Sequence, residues 1–263
     1  MMSSRRKTPG PCKKVPRAAW RAAWRTVWCL LMAVCLVFAW GINADAGEKE
    51  ERAWADAGFG SPEIESIDTQ RFYPKTGPTV THEVALTVVM FRGTGWKKKV
   101  ILHRLKKMAA IYAQYGLRIG ALKFVTADAP GGKIDFARPG NGDREIALRV
   151  PPTPKPILFY FRSIPKFNAY AWVEHSDNKD IPDAIKNTAW FSLSIGLELN
   201  KKIRHPGYVS EAHELGHVLL DSLEHVTDGV KNLMSGKHEY VTDTLTPEQC
   251  VKIKSSPLVR PVR

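Results

Sequence analysis

The chain is short of cysteine, and the little it has is poorly placed for crosslinking. Cys12, Cys29 and Cys35 fall within the first 46 residues, and only Cys250 lies beyond them. Once those 46 residues are set aside, no intrachain disulfide is possible, and stability must come from an ordinary core. Acidic residues are missing from residues 1–44, which carry Arg5, Arg6, Lys7, Lys13, Lys14, Arg17, Arg21 and Arg25. Long apolar runs are missing everywhere except at residues 26–40, which hold no charge. Ala44-Asp-Ala46 follows, a small-residue cleavage pattern. Basic, then apolar, then small is the order of a secretory signal peptide. Its removal leaves Gly47 as the first mature residue and a secreted or periplasmic protein. The alternative is an uncleaved membrane anchor, since the run extended to Ile42 reaches about 17 residues, the lower limit for a bilayer span. Trp20, Trp24 and Trp28 alternate with Arg17, Arg21 and Arg25 there, as in an interfacial segment.

The formal charge of +13 therefore overstates the basicity of the mature chain. Residues 1–46 take away eight of the 39 Lys and Arg and one of the 26 Asp and Glu, which leaves +6. Such a charge does not require a nucleic-acid partner. The lysines at 97, 98, 99, 106 and 107 have no interleaved aromatics on which bases would stack, so they read as a solvated helix face and exclude nucleic acid. The mature length suffices for one domain with a substantial interior, expected as a monomer.

What is present divides into a leader and a fold. Residues 47–80, charged and then rich in Gly and Pro, read as a loosely structured leader, either a peripheral arm or an inhibitory pro-segment. Residues 83–91 form a β-branched apolar run of strand length, 96–115 have helical spacing, and 117–126 read as a second strand. Strand, helix, strand makes a βαβ unit with parallel strands. On the helix, Val100, Ile101, Leu105, Met108, Ile111 and Tyr112 take the apolar side, and Arg104 goes with the lysines. Residues 145–150, 157–161, 168–173 and 188–195 are further short strands. Thr246-Pro-Glu-Gln249 opens a helix to about residue 255, with Thr as N-cap, Pro at N1 and Gln at N3; it packs Cys250, Val251 and Ile253.

The stretch that prescribes chemistry is Ser210-Glu-Ala-His213-Glu214-Leu-Gly-His217. On a helix, His213 and His217 share one face, about 5–6 Å apart at Cβ, so both imidazoles converge on one ion. Glu214 is turned by roughly 100° from His213 and aims beside the metal, where it can take a proton from water. Ser210 reads as the N-cap and Glu211 suits the positive end of the helix dipole. A catalytic zinc takes three protein ligands and leaves one position open. His225 is the choice for the third, because imidazole suits zinc; Asp221, Glu224, His238 and Glu239 compete for it.

His213-Glu214-x-x-His217, with the turn around Asn232-Leu-Met234-Ser-Gly236, resembles the metzincin clan of zinc metallopeptidases. The chain departs from the clan's pattern at Leu220, which stands where the clan has glycine. It departs again at Leu223, which stands where the clan has its third histidine; His225 comes two residues late. The resemblance implies an α+β fold, an α/β/α sandwich with a twisted mixed sheet, an active-site helix and a C-terminal helix over residues 81–263. It implies zinc as cofactor, peptide or protein as substrate, and an edge strand that binds substrate backbone, for which residues 168–173 are the candidate. Hydrolysis of peptide bonds with Glu214 as base is the function expected. The alternative is a non-catalytic exported binding protein whose zinc is closed off by four ligands, His213, His217, Asp221 and His225.

Overall fold

In this computed structural model the described residues are 46–73, 79–136, 139–140, 142–163, 168–175, 181–194, 209–227, 229–237 and 240–262. The expected signal segment, apart from its last residue Ala46, lies outside them. The chain divides at Lys49/Glu50, and every strand belongs to the unit Glu50–Arg263.

The frame is a seven-stranded mixed sheet. Its strands are β1 (Glu63–Ile67), β2 (His82–Phe91), β3 (Leu117–Ala127), β4 (Ile157–Phe161), β5 (Ala169–Trp172), β6 (Thr188–Ser192) and β7 (Val259–Pro261). Helices α1 (Lys98–Ala113), α2 (Asp143–Arg149), α3 (Ser210–Leu220) and α4 (Pro247–Lys254) accompany them. The order is β1-β3-β2-β4-β6-β5, with β7 also on β2. β2 pairs in parallel with β3 and β4, as does β4 with β6; β1, β5 and β7 are antiparallel to their neighbours. β2 is long enough to take two partners on one edge, β7 at His82–Val84 and β4 at Thr87–Met90. The βαβ unit is β2-α1-β3. It closes at Gly116, whose φ of 75° ends the helix where a β-carbon would approach the Thr79 carbonyl to 3.1 Å.

All five residues of β4 are buried, as a strand covered on both faces must be. Alternation sends Leu158 and Tyr160 to one core with Leu105, Met108, Ala212 and Leu215 of α1 and α3. Phe159 and Phe161 go to the other, with Phe91, Trp190, Phe136 and Ile146 of α2. The Phe159 and Trp190 rings stack there at 4.1 Å. Helical layers on both faces of a mixed sheet give the expected α+β sandwich.

Four expectations are corrected. Residues 47–80 are not a loose leader throughout: β1 pairs with β3, and Trp54, Phe59 and Phe72 are buried, so apolar residues outweigh the Gly and Pro between them. Residues 145–150 belong to α2 instead of a strand, and Ile146 and Ala147 supply its buried side. On α1 Val100 is exposed, whereas Arg104 is buried because it lies three after Ile101 and four before Met108. On α4 the capping box of Thr246 and Gln249 is formed, but Val251 is exposed; Ile253 is buried and Cys250 half-buried.

Candidate metal centre

Helix α3 is buried along its whole length. Its N-cap is Val209 in extended conformation, not Ser210; Ser210 lies inside the first turn, and its buried hydroxyl has no partner among the described residues. The start of the helix is held from outside. The Tyr112 hydroxyl donates to the Ala212 carbonyl at 2.7 Å. The Glu211 carboxylate, fully buried, pairs with Arg104 and accepts from the Tyr160 hydroxyl.

His213 and His217 lie one turn apart, with their Nε2 atoms 3.1 Å from each other. His225 Nε2 is 3.3 Å from His213 Nε2, so the three imidazoles meet. His213 Nδ1 donates to the Leu233 carbonyl at 2.6 Å and His217 Nδ1 donates to the Ser222 carbonyl at 2.7 Å. A carbonyl only accepts, so each Nδ1 carries the proton and each neutral ring turns a lone pair toward the other. Two lone pairs facing across 3.1 Å repel unless a cation sits between them. Ligands at about 2.0–2.1 Å around a tetrahedral ion are about 3.3–3.4 Å apart, close to the spacing here. The donor set therefore fits a metal ion, with outer hydrogen bonds that orient the rings.

Burial, then the charge of His213, lowers His217 from 6.5 to about 3, despite the Ser222 carbonyl that pulls the other way. Burial lowers His225 as well. Both shifts keep the rings neutral and ready to ligate. Glu214 is buried on the same helix, and burial, then the Glu211 charge, raises its carboxyl from 4.5 to about 8. A cation at the histidines acts in the opposite direction and favours the carboxylate.

α3 stops at Asp221, in left-handed conformation at φ 49°, one residue beyond Leu220. The Asp221 carboxylate turns to His175, accepting from its backbone N–H at 2.8 Å and pairing with its ring. Among the described residues the cluster is His213, His217 and His225, without Asp221 or the exposed Glu224. His238 and Glu239 lie outside the described residues.

Met234 packs beneath α3 at Gly216, where a β-carbon would overlap its Sδ and approach its Cε to 3.2 Å. Its turn is fastened by Asn232, whose Oδ1 accepts from Met234 N–H and whose Nδ2 donates to Gln249 of α4. Val226 N–H donates to the Met234 carbonyl, which ties the loop bearing His225 to the same turn. Tyr240, six residues after Met234, accepts from the Asn232 N–H through its carbonyl.

No protein-family model matches the sequence, and no curated protein matches it. Among solved structures it is similar to metalloproteinase-II from Bacteroides fragilis, at 16% identity and a TM-score of 0.46. That match covers 78% of this chain and 59% of the other, so the chain spans about three-fifths of that protein's length. Roles in this site therefore rest on its own geometry.

The histidines and Glu214 line a cleft of about 690 Å³. β5 and Pro139 line it as well. Among the described residues β5 pairs only with β6, so its other edge presents backbone groups. The backbone carbonyls of Leu233 and Ser222 have no side-chain signature and are invisible to sequence reading. Arg104 was within reach, since its spacing places it on the apolar face of α1.

No helix among the described residues is long and apolar enough to cross a membrane.

Proposed function

We propose that the chain is an exported, zinc-dependent metalloendopeptidase of metzincin type. The observation that carries this reading is the pair of Nε2 lone pairs of His213 and His217, fixed toward one point by carbonyls on their Nδ1 atoms, with His225 beside them. These three residues would hold zinc. Zinc held there would supply the Lewis acidity that lowers the pKa of a water and polarises a carbonyl. Glu214 takes up the proton at its carboxylate and returns it to the leaving amine. Its burial supports this role, because a carboxyl whose affinity for the proton is raised can both accept and donate near neutrality. β5 supports a peptide substrate, since an extended chain can add to the edge that is unpaired among the described residues, in the cleft that the histidines also line. The engagement of Asp221 with His175 favours an open site over one closed by a fourth ligand.

The test is zinc content and cleavage of a broad peptide library by residues 47–263, beside Glu214→Gln. One zinc ion per chain, with cleavage lost in the variant and zinc retained, is the expected result. Bound zinc with no cleavage by the parent would sink the peptidase reading, and no bound zinc would sink the metal site itself.

A further inference from the structure

Resting on that reading, we propose that Asp143, which is neither a ligand nor a base, is the positioning residue for the peptide: it fixes the cleft-facing strand β5. Asp143 opens α2 and is fully buried. Its carboxylate accepts four hydrogen bonds. Two come from its own segment, Gly140 N–H to Oδ2 at 3.0 Å and Arg144 N–H to Oδ1 at 2.9 Å. The other two come from β5: the Tyr170 hydroxyl at 2.7 Å and the Trp172 indole N–H at 3.2 Å, both to Oδ2. Tyr170 and Trp172 are two apart and so share one face of the strand. Burial, then the Asp143 charge, raises the Tyr170 hydroxyl well above its usual range, so it stays protonated and keeps donating.

β5 has four residues and, among the described residues, one ladder partner; it also packs on α3 and stacks the Tyr170 ring on Trp190, and Asp143 adds the polar contact that ties its side chains to α2. Substrate addition needs its free edge held at a set height across the cleft, and the ladder to β6 secures only the opposite edge. Asp143 also accepts from Gly140 N–H, next to Pro139, so the second element of that wall is tied to the same carboxylate. A buried carboxylate must be satisfied to be tolerated, and four donors satisfy both its oxygens.

The test separates the wall from the metal. Zinc-loaded parent, Asp143→Asn and Tyr170→Phe are titrated by calorimetry with acetohydroxamate, which reaches only the metal, and with trialanine hydroxamate, which also spans the wall. In Asp143→Asn the amide oxygen can replace Oδ2, but its NH2 then faces the Arg144 N–H and the bonds to Tyr170 and Trp172 lose their charge. Affinity for trialanine hydroxamate is expected to fall about tenfold, as for loss of charge-assisted bonding. Tyr170→Phe, which keeps the carboxylate and the ring, should weaken it severalfold and decides the matter if Asp143→Asn does not fold. Acetohydroxamate affinity and zinc content should stay at parent values, and with a cleavable peptide KM should rise while kcat holds. Equal losses on both ligands, or none on the longer one, overturn the proposal, as does a parent that binds trialanine hydroxamate no tighter than acetohydroxamate. A parent that binds the longer ligand tightly yet cleaves nothing would refute the peptidase and leave this comparison decisive.

Discussion

Removing Arg104 should cost far more than removing a surface arginine, because of what it leaves behind. The Glu211 side chain is 0% exposed and that of Arg104 is 9% exposed. In Arg104→Met the Glu211 carboxylate keeps the Tyr160 hydroxyl but loses its guanidinium, and its other oxygen already lacks a partner among the described residues. Breaking a buried pair from one side costs about 3–5 kcal/mol, whereas a surface pair is worth about 0–1 kcal/mol. Against a total stability of about 5–15 kcal/mol, the loss is a large fraction of the fold. The double variant Arg104→Met with Glu211→Leu removes both charges and fills the volume, so it should recover most of that loss. Urea unfolding of the metal-free parent, both single variants and the double variant measures each term. An Arg104→Met variant within about 1 kcal/mol of the parent would refute the burial argument, and so would a double variant no better than the worse single one.

Gly216→Ala sets a helix-propensity gain of about 1 kcal/mol against overpacking of about 1–3 kcal/mol where the new β-carbon meets Met234; calorimetry should show a net loss, with weakened zinc affinity as the turn is pushed away. Trp54→Ala should cost about 3–5 kcal/mol and lower Tm markedly, whereas an unchanged Tm would mean the segment before β1 is no part of the core. In the metal-free protein His217 is lowered from 6.5 to about 3, so the stability it allows is present above pH 6.5 and is lost as pH falls toward 3. Glu214 is raised from 4.5 to about 8, so its contribution is present below pH 4.5 and is lost as pH rises through 8. Urea midpoints across pH should therefore peak between those limits, and Glu214→Gln should flatten the alkaline side alone; a variant that leaves that side unchanged would contradict the shift.

The elements most legible in the sequence were those whose signal is local. The β2-α1-β3 unit follows from periodicity and Gly116, and the start of α4 from Thr246, Pro247 and Gln249. His213, Glu214 and His217 follow from helical spacing alone. What escaped depends on distant partners. Nothing near Asp143 in the chain announces Tyr170 and Trp172, and residues 145–150 alternate enough to pass for a strand until packing decides. Glu211 was assigned to the helix dipole, and its guanidinium partner 107 residues earlier could not be seen. The segment before β1 is not legible from composition, which reports average solubility, whereas burial of Trp54 and Phe59 depends on the sheet face they meet.

The late position of His225 was the main departure from the expected spacing, and the structure gives it a physical reason. The proposed metal site needs three Nε2 atoms at one point, and two are fixed by the helix. The third is placed from the far side of the chain. Val226 is bonded to Met234, Met234 to Asn232, and Asn232 to Gln249 of a helix capped by Thr246. Gly236 leaves room for the His225 ring, since a β-carbon there would come within 3.1 Å of it. At the other end the helix stops at Asp221, a residue type that tolerates left-handed backbone, and its carboxylate is occupied by His175. With both ends of the connection anchored, two extra residues in it displace solvent-facing chain and leave the imidazole where it is. The number of residues between His217 and His225 is thus a property of the loop, and the point where the three imidazoles meet, the proposed metal site, is a property of the helix and the turn around Met234.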